Sequence, residues 1–334
     1  MKKYILIILL LVFSLSLFAT RYAGDFLAIG TGVRAIGMGA AFTSLANDGS
    51  AIFWNPAGIA QIRDTEIDLM RAYLYSGLAK YDNFNFIQPL PNELTIGFNW
   101  TRLTIDNIPL FLEKHLVYNV DFRSTHPEWY LPAVPDGYFS DIDDTFQFSF
   151  SKHIHYNLNL GWLFFDVPFD FHLGGNLKYI KRKIYNNLGT GTGFDVAFLA
   201  STKLTPIVDI ENLGDINFGV NFQNIGGTTI SWDTKSKHTD KILFNTRVGF
   251  SVVQPLDFVH STIIFSTDKS YVYKQKYYYG IEFIYREFIS GRIGLNDSKF
   301  SSGLSFKIYD IHIDYGFTTN NLGLSHRIGV RVYF

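Results

Sequence analysis

From Thr65 to the C-terminus, the chain repeats short segments in which every second residue is apolar, separated by polar breaks. Period-two alternation gives a strand two unlike faces. Fourteen segments carry it, near 65–75, 81–89, 94–103, 144–153, 168–184, 191–203, 214–224, 241–254, 259–268, 276–285, 288–296, 299–307, 310–317 and 325–334. Many reach the 9–11 residues that a tilted strand needs to cross a bilayer. In Thr145–Ser151 every second residue is Phe, and in Ile311–Phe317 one face is Ile, Ile, Tyr, Phe while the other is His, Asp, Gly. The last segment sets Ile328, Val330, Val332 and Phe334 against Arg327, Gly329, Arg331 and Tyr333. An apolar face toward lipid and a polar face toward a wet lumen would produce that division. An open sheet in lipid leaves its edge hydrogen bonds unsatisfied, so the strands are expected to close into a barrel.

Composition favours lipid over a soluble core as the partner of the apolar face. Aromatic residues make up 17% of the chain, with 32 Phe and 20 Tyr. Membrane barrels place such residues on the lipid face and in interfacial girdles. Residues 1–20 begin with Lys2 and Lys3, continue as an apolar run from Tyr4 to Phe18, and offer Ala19 as a small residue for cleavage. That is the pattern of a secretion signal, and the run is short for a membrane anchor. The mature protein is therefore expected outside the cytoplasm, in the outer membrane. There is no Cys, hence no disulfide or thiolate metal site, and the formal net charge of −1 gives no basic patch for nucleic acid.

The spacing of the breaks orients the barrel. With the first strand rising from the periplasm, the short connections Leu90–Glu93, Pro255–Phe258, Arg286–Glu287 and the one around Tyr309 fall on the inner side. The long breaks Thr104–Asp143 and Ile225–Asp240 fall outside, the asymmetry usual in bacterial barrels. Two inner connections, Ile154–Val167 and Leu204–Asn212, are longer than tight turns. The loop Thr104–Asp143 carries Phe111, Leu112, Phe122, Trp129, Tyr130, Leu131, Tyr138 and Phe139. Its aromatic residues suit either contact with a hydrophobic ligand or partner protein, or a lid that buries them.

Between the signal and the first strand lies a different text, Gly24–Gln61, rich in Gly, Ala and Ser. Such a backbone packs closely and takes positive φ. Gly37-Met38-Gly39 precedes no βαβ pattern, which argues against a dinucleotide site. Asn47-Asp48-Gly49 offers a tight turn, and Asn55-Pro56-Ala57-Gly58 offers another just before the first strand. Pro56 fixes one φ and lacks an N–H, while Asn55 is able to bond its own local backbone. The expected organisation is a signal at 1–20, an insert at 21–63 seated in the barrel mouth, and the barrel at 64–334.

At Phe26–Gly30, Val33–Phe42, Ala46–Asp48, Trp54–Gly58, Phe218–Gly226 and Asp314–Phe317 the chain resembles the PorV/PorQ family of outer-membrane proteins, relatives of the FadL-type fatty-acid channels. The resemblance covers nearly the whole mature chain. It implies a 14-stranded antiparallel transmembrane β-barrel with an N-terminal hatch, the hatch containing an Asn-Pro-Ala run. Gly37, Met38, Gly39, Asn47, Asp48, Asn55, Pro56, Ala57 and Gly58 would then be structural residues of that hatch. Phe334 looks like the terminal aromatic that outer-membrane barrels present to their assembly machinery. Two functions follow from the resemblance. One is a docking or shuttle barrel for secreted cargo, as in type IX secretion. The other is a FadL-like channel for hydrophobic small molecules such as fatty acids. Gly30–Arg34 departs from the Pro-containing run of the secretion-system PorV.

Catalytic patterns are sparse. The nine His residues are scattered, and only His153 and His155 sit two apart on one strand face, as a metal pair or an interfacial polar pair. Asp141, Asp143 and Asp144 cluster where the long loop meets its strand, without the Gly and terminal Glu spacing of a calcium loop. No Gly-x-Ser-x-Gly elbow or phosphate loop is present. The expectation is a non-enzymatic protein without cofactor or metal, whose partners are the bilayer, the assembly machinery and either secreted cargo or a hydrophobic ligand.

Overall fold

The computed structural model describes residues 24–111, 125, 135–159, 161, 166–208, 212–272 and 275–334. The leader at 1–20 and most of the aromatic residues of the long outer loop lie outside them. The strands in chain order are β1 (Glu66–Leu74), β2 (Ala79–Leu90), β3 (Leu94–Leu110), β4 (Gly137–Leu158), β5 (Val167–Ile184), β6 (Asn187–Lys203), β7 (Asp215–Gln223), β8 (Thr228–Trp232), β9 (Thr239–Ile242), β10 (Asn245–Leu256), β11 (Ser261–Tyr271), β12 (Gln275–Tyr285), β13 (Ile289–Asn296), β14 (Lys299–Ile308), β15 (Ile311–Thr318) and β16 (Ser325–Tyr333).

Neighbouring strands pair antiparallel, and β16 returns to β1 with Tyr333 opposite Glu66, so the sheet closes on itself. β8 prolongs β7 past a break at 224–227, pairing with β6 where β7 has ended, and β9 stands above β10 in the same way. Counted as staves, β7 with β8 and β9 with β10 are each one, which makes a closed barrel of 14. The break expected at Ile225–Asp240 therefore contains a strand. The long outer loop is also shorter than expected, because β3 runs to Leu110 and β4 starts at Gly137. Those extensions read as loop in sequence because Thr104–Pro109 and Ser140–Asp144 lack an apolar alternate face, and the pairing shifts register between Ile105 and Ile108.

The two faces are the reverse of a soluble sheet. Phe148 and Phe150 are exposed on the outside of β4, while Thr145, Gln147, Ser149 and Ser151 are buried inside. On β16, Ile328 and Val330 are exposed and Arg327 and Arg331 are buried. Outward apolar and inward polar residues are the arrangement of a barrel in lipid around a polar interior. No helix among the described residues is long and apolar enough to cross a membrane. The inner rim carries the tight turns after β2, β10, β12 and β14, where Asn92, Glu93, His260, Arg286, Glu287 and Tyr309 take positive φ. Its two longer connections fall after β4 and β6.

Phe334 closes the inner rim by donating its N–H to the Thr65 carbonyl, with its ring exposed on the lipid side. A charge near the membrane interface costs a barrel only about 0–1 kcal/mol. If the aromatic terminus acts during assembly rather than in the finished wall, replacing Phe334 with Asp should still lower the amount of folded barrel in membranes severalfold. The heat-modifiable band on unheated gels measures this. An unchanged yield would remove Phe334 from any assembly role.

Candidate functional site

Residues 24–63 contain only short helical turns: a 3₁₀ turn at Leu27–Ile29, α1 (Val33–Gly37), α2 (Ala51–Trp54) and a 3₁₀ helix at Pro56–Gln61. None forms a core by itself. The segment is nevertheless almost wholly buried, with Ala35, Met38, Ala41, Phe42, Ala46, Ile52 and Ile59 packed into one apolar cluster. Its hydrogen-bond partners stand all round the wall. Ser151 on β4 donates to the Ala57 carbonyl at 2.8 Å, Asn176 on β5 to Ile52 at 2.7 Å, Asn221 on β7 to Trp54 at 2.9 Å, and Ser301 on β14 to Gly37 at 3.3 Å. A segment bonded to strands on every side lies in the lumen.

Small residues make that fit. Gly39 has φ +67°, and a methyl group on it would stand 2.5 Å from the Leu295 nitrogen and the Tyr279 carbonyl oxygen. A Cβ on Gly58 would collide with the Ala46 carbonyl, and one on Gly37 would stand 2.8 Å from Arg292. On the wall side, Gly174, Gly219, Gly280 and Gly294 face Ala57, Thr43, Met38 and Gly39 with no room for a side chain. Asn55 fastens three pieces at once. Its Oδ1 accepts from Ala57 N at 3.1 Å, and its Nδ2 donates to the carbonyls of Thr43 at 2.8 Å and Phe198 on β6 at 3.1 Å. Pro56 stands at the first position of the 3₁₀ helix that follows.

Charges lock the segment at two places. Arg34 on α1 forms a fork on Glu282 of β12, with bonds of 3.0 and 2.8 Å, and reaches Asn47 at 2.6 Å and Asp48 at 3.6 Å. Burial works against the Arg34 cation, yet Glu282 and Asp48 hold its pKa above the usual arginine value. Asp48 also faces Arg331 of β16 at 3.4 Å, and the Gly49 N–H donates to Glu66 of β1 at 2.5 Å. At the second place one oxygen of Asp268 on β11 accepts from Phe42 N at 3.1 Å, Thr43 N at 3.0 Å and Thr43 Oγ1 at 2.6 Å. Arg247 on β10 completes that lock, donating to Asp268 at 3.0 Å and to the Ala40 carbonyl at 2.7 Å.

The wall partners Glu282, Asp268, Arg247, Asn176 and Asn221 were not singled out in the sequence. Each is a polar residue on the inward face of an alternating segment, and that is the signal that would have found them. The Asp141–Asp144 cluster is dispersed by strand alternation. Asp143 points inward to Arg182 at 2.6 Å, and Asp144 points outward to Arg102 at 2.7 Å. His153 and His155 both bond Asp170, at 2.8 and 2.9 Å, rather than facing each other across a metal. Where the segment leaves the lumen, hydrogen bonds from Arg63 and His153 hold Glu93 down to about 2.

Toward the outer rim the segment and wall build a second apolar cluster. Phe26 packs with Ile180, Ile230, Trp232 and Ile242, bordered by Leu27, Leu103 and Ile184. Arg182 lies between the Phe26 and Trp232 rings, 5.5 and 5.7 Å from their centres, with its charge matched by Asp143. Trp232 Nε1 donates to Asp240 at 2.8 Å. The cluster is a closed contact between segment and wall, with Ile180 and Ile230 fully buried, and among the described residues no group of three or more His, Asp or Glu side chains is placed to hold a metal ion.

No family model matches the chain, and no curated protein matches it in sequence. Solved structures do match in fold. The toluene transporter TbuX of Ralstonia pickettii aligns over 91% of this chain and 98% of its own, with a TM-score of 0.51 and 11% identity. The monoaromatic hydrocarbon channel CymD aligns over 92% and 98%, with a TM-score of 0.52 and 10% identity. The toluene transporter TodX of Pseudomonas putida aligns over 90% and 96%, with a TM-score of 0.50 and 8% identity. These three are transporters and channels, none of them an enzyme, and the likeness does not speak for the PorV/PorQ family or a secretion role. The chain shares the fold of these transporters and channels, a closed antiparallel barrel of 14 staves.

Proposed function

We propose that this protein is an outer-membrane conduit for hydrophobic small molecules, with residues 21–63 serving as its hatch, 64–334 as its barrel and 1–20 as the leader that exports it. The observation that carries this reading is the joint apolar cluster of Phe26, Ile180, Ile230 and Trp232, because it is made partly by the lumen segment and partly by the wall. A ligand that enters between them would part the lumen segment from the wall, so binding and passage would be coupled through one contact. Gly37, Met38, Gly39, Asn47, Asp48, Asn55, Pro56, Ala57 and Gly58 serve this function as fasteners and close-packing positions rather than ligand contacts. The bilayer surrounds the wall, and the barrel assembly machinery inserts it.

The test is entry of a radiolabelled monoaromatic hydrocarbon into cells of an outer-membrane-impermeable strain, with and without the protein. Uptake should rise severalfold with the protein and fall back when Trp232 and Ile230 are both changed to Asp. A polar solute of the same size should enter at the same rate in all three strains. Equal hydrocarbon uptake with and without the protein would refute the conduit reading.

A further inference from the structure

On the outer wall, a row of alternating charges crosses five strands. Arg71 on β1 stands opposite Asp82 on β2, Asp82 opposite Arg102 on β3, Arg102 opposite Asp144 on β4, and Asp144 opposite Lys181 on β5. All five face away from the lumen, on the same side as Leu69, Phe84, Phe146 and Tyr179. Arg71 forks onto Asp82 at 2.6 and 3.0 Å, and Arg102 onto Asp144 at 2.7 and 2.9 Å. Toward the outer rim follow Lys80, paired with Asp106 at 3.2 Å, and the exposed Lys183. Five cations thus meet three carboxylates, leaving the patch positive.

Outward charges are unfavourable on a lipid-facing wall, most of all toward the bilayer midplane. Pairing them cross-strand reduces that cost and presets the guanidinium groups. A carboxylate fork occupies one edge of a guanidinium, and the other edge remains outside that pair. Directly beside the row, an outward groove of about 610 Å³ runs between β16, β1, β2 and β3, lined by Leu69, Tyr73, Phe84, Trp100, Ile328 and Val330, with Arg71 and Asp82 at its charged end. A second outward groove of about 590 Å³, along β10–β14, is lined by Phe250, Phe265, Tyr279 and Ile293 among others and carries no charged residue.

From this combination we propose that the β16–β3 groove with the Arg71–Lys181 row is a binding site for an outer-leaflet lipid with a phosphorylated head group. One acyl chain lies along Leu69, Phe84, Ile328 and Val330; one head phosphate meets Arg71 at the groove's charged end and a second meets Arg102 and Lys181, since β1 and β5 stand four strand spacings, about 19 Å, apart. Arginine recognises phosphate by forked, charge-assisted bonds, which suits the two guanidinium groups already held in place. The inference rests on the outer-membrane reading but not on transport of any ligand.

Native mass spectrometry of the mature, detergent-solubilised barrel tests it, with bisphosphorylated lipid A and its dephosphorylated form as probes. The intact barrel should retain the phosphorylated lipid about tenfold better, the ratio one charge-assisted hydrogen bond supplies. The variant Arg71→Gln/Asp82→Asn/Lys181→Gln removes cations together with a carboxylate, so it strands no charge in lipid, and it should lose the preference. Tyr279→Ala, in the uncharged groove, should keep it. If the triple variant is not heat-modifiable, Lys181→Gln/Lys183→Gln at exposed positions should still reduce the preference severalfold. Equal retention of the two lipids by the intact barrel, or an undiminished preference in a folded variant, would overturn the proposal. Hydrocarbon uptake is expected to be the same in all these variants, so its failure would strike the conduit reading alone.

Discussion

Deleting residues 24–60 from the mature protein should leave a barrel that inserts and conducts ions, with single-channel conductance at least about tenfold above the intact protein. Eight strands enclose an interior that side chains alone fill, and the diameter grows roughly linearly with strand number. Fourteen staves therefore enclose more space than their own inward side chains occupy. Here Phe42, Ile52, Ile59 and Met38 take up that space. The wall keeps its ladder hydrogen bonds when they are gone, since β1 pairs with β16 and β2 without help from the segment. Glu282, Asp268 and Arg247 would then face water instead of the segment and would be solvated there. Unchanged conductance in planar bilayers would mean that residues 24–60 do not occlude the lumen.

Changing Asp268 to Ala should loosen the same segment without removing it. Asp268 is 1% exposed, and a single oxygen accepts from two backbone N–H groups, the Thr43 hydroxyl and Arg247. The substitution leaves Arg247 buried without its carboxylate and orphans both N–H groups. Breaking a buried pair by removing one partner costs about 3–5 kcal/mol. Hydrogen exchange at Phe42 and Thr43 should accelerate by about two orders of magnitude or more, the factor that about 3 kcal/mol gives. Adding Arg247→Met should recover part of the loss, because the stranded cation is then removed too. Exchange at Phe42 and Thr43 no faster than in the intact protein would show that the Asp268 lock does not hold the segment.

The wall was legible in sequence because lipid enforces its pattern strictly. A segment such as Thr145–Ser151 has to alternate, so each of the 14 expected strands has its counterpart, from β1 to β16. Where lipid stops, legibility stops. The ends of β3 and β4 lie beyond the apolar alternation, and β8 hides in a run that reads as loop. The lumen segment was legible as a close-packing text from its glycines and its Asn-Pro-Ala-Gly run, but its fastening was not. Arg34 meets Glu282 across 248 positions of sequence, and only closure of the barrel brings them together. The Asp141–Asp144 cluster reads in sequence as a turn, and the strand that contains it splits it between two faces. Neighbours in sequence on a strand point to opposite sides, so Asp143 and Asp144 never share a site.

On the conduit reading, an apolar molecule enters through the lumen of this barrel at the cluster shared by Phe26 and the upper wall. A crystal of the full mature protein soaked with a brominated monoaromatic compound tests it through the anomalous signal of bromine. A peak is expected inside the barrel among Phe26, Ile180, Ile230 and Trp232, and its loss when Trp232 and Ile230 are changed to Asp. Bromine found only in the outward grooves beside Leu69 or Phe265, with the lumen empty, would contradict it.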